Sequence, residues 1–396
     1  MNHPLSVMIL DADNRAALAL TRSFGARGVK VFAGGYSRLS QAFFSRYCAA
    51  HFLYPVDENG EKMHAAILSA VKRFKPDVLM PLFDRTFSVI LKYQDQYREY
   101  TRLIPLPSRT AFAELQDKGT LFLRARENKI PVPDTFFPEN ALEVRSIAGK
   151  LKYPVLLKPR LSWGGLGIRC AASPSELCAL YGRLSNAEQR ISSAPEVFFD
   201  TRRPLIQEYI DGEVLNFYGY FDHSALKAFF TTKTIRSYPL PFGHSIAARS
   251  IKHGALQDIS LSLLRPLGWN GIVDIQYIHD RRDNTLKLID ANPRFWSTIE
   301  FAIASGIDFP GMLFQKALDE PVNPGPDFPE GKEFRWILYD ELFYLLRAPN
   351  KLQAFRGLHK ASCEISLDDC LPHCVRFFTI VRSVLNKSIS SEAGAE

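Results

Sequence analysis

Three segments of the 396-residue sequence carry side chains of the kinds that handle phosphates and metal ions. The first is Val155-Leu-Leu-Lys158-Pro-Arg160-Leu-Ser162-Trp-Gly164-Gly165-Leu-Gly167-Ile168. An apolar strand delivers a lysine, and a turn with three glycines follows. Glycine lets backbone N–H groups approach phosphate oxygens, and lysine adds a point charge. No Gly-Lys-Ser/Thr follows, so this is not a P-loop. Alone, the segment reads equally as a tight β-turn. The second is Gln207-Glu208-Tyr209-Ile210-Asp211-Gly212-Glu213. A strand ends in a carboxylate, turns, and meets a second carboxylate. Such a linker can offer backbone groups to an adenine edge, with Glu213 near a ribose. It reads also as a solvated turn. The third pairs Asp274-Ile-Gln276 with Asp290-Ala-Asn292-Pro-Arg294. Strand alternation puts Asp274 and Gln276 on one face, and Asp290 and Asn292 on one face of the neighbouring strand. Oxygen ligands at that spacing suit Mg2+, which takes one or two carboxylates plus phosphates. Arg294 follows, where a guanidinium can clamp a phosphoryl group or form an ordinary ion pair.

The elements that must position these residues are legible from hydrophobic periodicity. Strand Val7–Leu10, a helix over 14–26 and strand Val29–Ala33 open the chain. A helix over 62–74, strand Asp77–Leu82, a helix over Arg85–Tyr93 and strand Leu103–Pro105 continue it. This alternation predicts a parallel sheet covered by helices, an α/β half. After the first strand comes Asp11-Ala-Asp-Asn-Arg15 where GxGxxG would be needed, so this half has no dinucleotide fingerprint. A helix over 108–129 holds Lys118 near its middle, and Ile130-Pro-Val-Pro-Asp134 ends it. The pattern then predicts a helix over 174–184, an antiparallel hairpin over 214–233, a helix over 255–267, and paired strands Ile272–Ile278 and Leu286–Ala291. A helix over 298–319 and a proline-rich stretch from Pro321 to Pro329 precede a helical tail. In that tail 340–346 and 374–385 are expected to be helices, packed on the preceding sheet or forming a homodimer contact. The last nine residues, Ser388 to Glu396, are expected to fray.

In this order and spacing, Lys118, Lys158, the glycine loop, the Gln207-Glu208-Tyr209-Ile210 linker, Glu213, Gln276, Asp290, Asn292 and Arg294 resemble the ATP-grasp superfamily. The Asn292-Pro293-Arg294 strand end is similar to the carbamoyl phosphate synthetase and biotin carboxylase branch and to carboxylate–amine ligases. The resemblance implies an α/β (α+β overall) ATP-grasp fold with four parts. They are an N-terminal α/β domain (1–110), a lid with the connecting helix and glycine loop (111–204), an antiparallel platform with the metal site (205–325) and a helical tail (326–396). It implies ATP between lid and platform. Lys118, Lys158, Ser162, Gly164, Gly165 and Gly167 would face its phosphates. Gln207, Glu208, Tyr209 and Ile210 would face its adenine, and Glu213 its ribose. Mg2+, with Mn2+ as the alternative ion, would sit at Gln276, Asp290 and Asn292. Arg294, Lys233 and Arg236 would face the transferring phosphoryl group. The family usually has glutamate where Asp290 stands, and Gln276 is neutral, so the number of metal ions stays open. The implied reaction is ADP-forming ligation of a carboxylate to an amine through an acyl phosphate, with small amino acids or carboxylic acids as substrates. The alternatives are a kinase, a bicarbonate-using carboxylase or carbamoyl-phosphate-type synthetase, or a degraded ATP binder.

Composition narrows the field. Hydrophobic residues make up 46% and charged residues 23%, a globular balance that excludes disorder. No apolar run approaches the ~18 to 20 residues of a membrane span, and the N-terminus reads as a strand, so a cytoplasmic location is expected. Forty-nine Lys and Arg against 42 Asp and Glu give +7. The charge alone does not choose a partner; the two signs are intermixed, which argues against nucleic acid, no membrane partner is expected, and the resemblance implies that Lys118, Lys158, Lys233, Arg236 and Arg294 face a small polyanion. The six cysteines form no paired CxxC knuckles. The tail stretch Cys370-Leu-Pro-His373-Cys374 matches no standard zinc spacing.

Overall fold

A computed structural model describes residues 4–185, 203–239, 241–347 and 361–380. Three sheets organise it. The first is parallel throughout, in the order Cys48–Leu53, Lys30–Gly35, Ser6–Ile9, Val78–Met80, Arg102–Leu103. Its central strand shows why. Val7 and Ile9 enter one apolar cluster and Met8 and Leu10 another, and all four are fully buried. A strand apolar on both faces must be covered on both, as parallel sheets with crossover helices are. Helix Arg15–Ala26 follows, capped by the Asn14 side chain, with Ala16, Ala17, Leu20 and Phe24 on its buried side.

The second sheet is antiparallel, in the order Thr135–Phe136, Leu205–Glu208, Val155–Lys158, Arg169–Ala171. Val155, Leu157, Ala171 and Ile206 face helices Ala141–Ala148 and Pro174–Ser185, whose Val144, Ala148, Leu177 and Tyr181 complete the small core. Period-two alternation sends Leu156, Lys158 and Gln207 to the other face. The third sheet has seven strands: Thr285–Asn292, Gly271–Asp280, Gly212–Asp222, Ala225–Tyr238, His244–Ser250, Glu333–Arg335, Ser362–Cys363. All neighbours are antiparallel except the last pair. Its back face (Leu215, Phe217, Val273, Ile275, Tyr277) packs with Leu256, Leu263 and Leu264 of helix Gly254–Leu264. Its front face changes character along the strands. Tyr220, Ile272 and Phe230 join the core shared with the N-terminal sheet, whereas Asn216, Asp274 and Gln276 open under the second sheet.

Several expectations need adjustment. The helix expected over 108–129 is two, Arg109–Gln116 and Lys118–Glu127, broken at Asp117. Asp117 is extended (φ −82°, ψ 112°) and its carboxylate accepts from the N–H groups of Gly119 and Thr120. Lys118 therefore opens a helix instead of lying mid-helix. The helix expected over 298–319 is also two, Ile299–Ala304 and Phe309–Ala317, separated at Gly306 (φ 93°). Strands Cys48–Leu53, His244–Ser250, Glu333–Arg335 and Ser362–Cys363 were not anticipated. The tail thus contributes strands as well as helices. Of its expected helices, Leu342–Arg347 and 371–380 are described, the rest of 374–385 and Ser388 to Glu396 lying outside the described residues.

Candidate active site

A cavity of about 280 Å³ lies between the second and third sheets. Register builds its floor. Asp274 pairs with Asn292 and Gln276 with Asp290 across two antiparallel strands, so four oxygen-bearing side chains share one face. Asn216 and Tyr218 on the next strand and Thr234 beyond it extend the polar stripe. The roof holds Lys158, Leu156 and Gln207 from the second sheet, with Gly164 and Gly165.

The two expected lysines converge. Lys118 Nζ lies 3.0 Å from Asp290 Oδ1 and donates to the Ser162 carbonyl at 2.9 Å. Its backbone N–H also bonds to the Arg160 carbonyl, at 3.1 Å. Arg160 in turn grips Asp117 through Nε and Nη2, both to Oδ1, at 3.0 and 2.9 Å. Asp117 therefore caps the helix and clamps the glycine-loop segment to it, fixing Lys118 from two sides. Lys158 is buried, with 6% of its surface exposed, and makes no ion pair within 4 Å among the described residues. Burial pushes its pKa down to about 8, with Asp290 pulling it up and Lys118 pushing it further down.

Arg294 makes the ion pair that was one of its two expected readings. It lines the cavity, yet its Nε donates to Asp84 Oδ2 at 3.1 Å, its Nη2 to Asn292 Oδ1 at 2.8 Å and its Nη1 to the Phe295 carbonyl. Its guanidinium lies 4.9 Å from the Phe83 ring centroid. Asn292 Nδ2 donates to Asp274 Oδ2 at 3.0 Å, while Asp274 Oδ1 has no partner among the described residues. Burial raises the Asp274 pKa to about 7, opposed by Arg294 and reinforced by Asp290.

The remaining expected residues divide. Tyr209 and Ile210 line the cavity, as does Glu208, whose carboxylate is held by Arg282 and by the Asp134 N–H. Gln207 Nε2 donates to Thr135 Oγ1 at 2.9 Å. Gly164, Gly165 and Gly167 all have left-handed φ (54°, 76° and 77°), and a side chain at Gly165 would collide with the Phe242 backbone. Ser162 serves through its carbonyl, and Ser162 and Gly167 are not on the cavity wall.

Glu213, Lys233 and Arg236 are not on it either. Glu213 and Lys233 share the back face with Leu215 and pair with each other at 2.6 Å, because Val214, Asn216 and Thr234 take the front. The register shifts on both sides of Arg236, whose guanidinium pairs with Glu341, a fully buried carboxylate also held by Arg335. The geometry therefore does not bring the expected ribose contact or those two basic residues to the cavity. Asp84 and the capping role of Asp117 were missed. Only Asp117 carried a signal in the sequence: a cap-type residue directly before the lysine.

The family described as the carbamoyl-phosphate synthase L chain, ATP binding domain matches residues 117–213. The family described as ATP-grasp in the biosynthetic pathway with Ter operon matches residues 244–338. The carbamoyl phosphate synthase large chain of Corynebacterium glutamicum is 22% identical over 195 residues, 49% of this chain and 17% of that one. The chain thus spans about a sixth of that relative's length. Among solved structures, biotin carboxylase from Campylobacter jejuni superposes with a TM-score of 0.64 at 16% identity, over 83% of this chain and 72% of that one. An L-amino acid ligase from Bacillus licheniformis gives 0.61 at 15% identity, over 80% and 75%. Both likenesses are likenesses of fold. Two family models matched in order along the chain, together with these likenesses of fold, make it similar to ATP-grasp proteins in both segments and in architecture.

Proposed function

We propose that the chain is an ATP-dependent, ADP-forming ligase that joins a small carboxylate to an amine through an acyl phosphate. One observation carries the reading: two buried lysines face a floor of Asp290, Asn292 and Gln276, and Lys158 makes no ion pair within 4 Å among the described residues. A buried ammonium without an ion-pair contact is costly, and a phosphate oxygen would offset that cost. The oxygen donors fit Mg2+ arriving with the nucleotide. One carboxylate and two amide oxygens are too few for a tight all-protein site but suffice when phosphates fill the remaining positions. Bound there, Mg2+ (or Mn2+, which favours the same oxygens) would draw charge from the phosphate oxygens.

The chain's own residues do the rest. Asp290, now paired with Lys118, turns to the metal and frees the lysine for phosphate. Lys158 holds the other side of the triphosphate. The glycine loop closes over it, and the linker backbone at Tyr209 and Ile210 meets the adenine. Lid, platform and N-terminal half follow the sheet boundaries in this reading. A carboxylate oxygen of the first substrate attacks the γ-phosphorus, and the bond to the ADP oxygen breaks. The amine then attacks the acyl carbon, inorganic phosphate leaves, and the ammonium proton is lost. Positioning and charge neutralisation are the protein's contribution. The test is ADP release from MgATP with panels of carboxylates and amines. Lys158→Ala and Asn292→Ala are expected to lower turnover at least a hundredfold with the fold kept, the melting temperature falling only in Asn292→Ala, which leaves Asp274 and Arg294 short of a buried partner. Full activity in both would remove the site assignment.

The match to the carbamoyl-phosphate synthase ATP-binding domain favours a second reading, in which bicarbonate is the carboxylate. ADP release that depends on bicarbonate, without an organic acid, would select it.

A further inference from the structure

The turn after the first strand, Asp11-Ala-Asp-Asn-Arg15, lacks a dinucleotide fingerprint, yet Asp11 and Arg15 at its two ends are buried. Asp11 has a left-handed φ of 60°. Its Oδ2 accepts from the Leu82 and Phe83 N–H groups at 3.0 and 2.9 Å and from the Thr86 hydroxyl at 2.6 Å. Its Oδ1 accepts from the Tyr54 hydroxyl at 3.1 Å. These bonds hold the start of helix Asp84–Lys92 against the end of strand Ser6–Ile9. Phe83 and Asp84, at that start, both meet Arg294, the ring against its guanidinium and Oδ2 at its Nε. Asp84 Oδ1 accepts from Gln116 Nε2 at 3.2 Å, so both carboxylate oxygens are held. Arg15 acts on the segment that follows Arg294. Its Nε donates to the Ser297 carbonyl at 2.9 Å and its Nη2 to the Ser245 carbonyl at 3.0 Å. Arg15 also lines a second cavity, of about 340 Å³, which shares Trp163, His244 and Ser297 with the first and lies between the Tyr36–Gln41 loop and the tail helix over 371–380.

We infer that Asp84 is the positioning residue for Arg294, so that the N-terminal half aims the arginine that meets the transferring phosphoryl group. The inference rests on the ATP-dependent ligase reading above. Of the five N–H donors of a guanidinium, three are taken, by Asp84, by Asn292 and by the Phe295 carbonyl. The other two have no partner among the described residues and are left for an oxyanion. The bond at Nε decides where those two point, because it fixes the rotation of the guanidinium about the end of its side chain. A long side chain would otherwise sample several rotamers. A carboxylate anchored by Gln116 and by a helix start that Asp11 holds leaves it one. Donors aimed before charge develops need no reorganisation when it does, which is where positioning helps catalysis. The turn that in other α/β halves cradles a cofactor phosphate thus serves here as a support for an active-site side chain.

Two measurements on the full chain test this. The first is nuclear magnetic resonance on protein labelled isotopically at the arginine nitrogens. The Arg294 Nε–H, identified by its loss in Arg294→Met, is expected to be protected from solvent exchange and to exchange at least tenfold faster in Asp84→Ala. The second is calorimetry with Mg–ADP, alone and with aluminium fluoride standing in for the transferring phosphoryl group. No binding of Mg–ADP would remove the ligase reading and this inference with it. Aluminium fluoride is expected to tighten binding at least tenfold in the wild type. Asp84→Ala is expected to abolish most of that gain while Mg–ADP alone stays within twofold. Adding Asp84→Ala to Arg294→Met is expected to change nothing more, because the aspartate acts through the arginine. Asp84→Asn keeps an oxygen for Nε without the charge and is expected to fall between wild type and Asp84→Ala. It carries both measurements if Asp84→Ala does not fold. With Mg–ADP bound, an Nε–H as protected without Asp84 as with it would overturn the inference. So would an aluminium fluoride gain that is absent in the wild type or kept in Asp84→Ala, equal losses with and without aluminium fluoride, or losses that add in the double variant.

Discussion

At Lys158, burial and chemistry pull in opposite directions. Its pKa near 8, below the ordinary 10.5, marks a charged form that the folded protein holds at a cost. Between those two values the unfolded chain binds more protons than the folded one, so this lysine's contribution to stability rises with pH across that window. Phosphate binding needs the protonated form. The kcat/KM for ATP is therefore expected to fall above pH about 8. The kcat should hold to higher pH, because bound phosphate raises the lysine's pKa. A pH–rate profile decides this, and a kcat/KM for ATP that stays flat past pH about 9.5 would contradict it. Lys233 is the counter-case. The same residue type, one strand position from Thr234, pairs with Glu213 on the far face.

The elements around the cavity are joined by a small number of directional contacts. Asp117 ends one helix, caps the next and holds Arg160 of the loop that follows Lys158. Asp117→Ala is expected to cost about 1 kcal/mol as a lost N-cap. The same change should raise the KM for ATP several-fold, because Lys118 and the loop lose their shared anchor. Thermal unfolding and ATP-dependent kinetics separate the two effects, and an unchanged KM would leave Asp117 as a cap alone. The glycine loop is a matching case. Three residues at left-handed φ, one pressed against the Phe242 backbone, require glycine for shape as much as for phosphate access.

Across the whole molecule, three sheets and the tail meet around two adjoining cavities. A ligand held between the second and third sheets binds the folded state and not the unfolded chain. MgATP at about a hundred times its Kd is then expected to stabilise the protein by about 2.7 kcal/mol. Asp290→Ala, or excess chelator, should remove most of that, which a thermal shift series reads directly. Equal protection by ATP without divalent metal would count against the donor set at Asp290. Among the described residues no helix is long and apolar enough to cross a membrane.

The strand bearing Lys158, the glycine loop, the linker and the paired strands bearing Asp290 and Asn292 were legible from the chain alone, because each depends on local rules; Lys118 was singled out by the resemblance and expected mid-helix, where the structure breaks the helix before it. An apolar run makes a strand, alternation selects a face, and glycine or proline marks a break. The same rules put Asp274 and Gln276 on one face of a strand and Asp290 and Asn292 on one face of its neighbour, but the register that sets Gln276 opposite Asp290, with its shift after Gln276, came only with the structure. They could not say which face of a strand would meet the lid. That depends on what covers the other face, and Leu215, packed in the back core, sent Lys233 and Glu213 away from the cavity. Nor could they pair residues far apart in sequence: Arg294 with Asp84, Arg236 with Glu341, the tail helix with the Tyr36–Gln41 loop. Those contacts form only when the sheets pack, since ion pairs and cavity walls depend on distance in space and hydrophobic periodicity on distance along the chain.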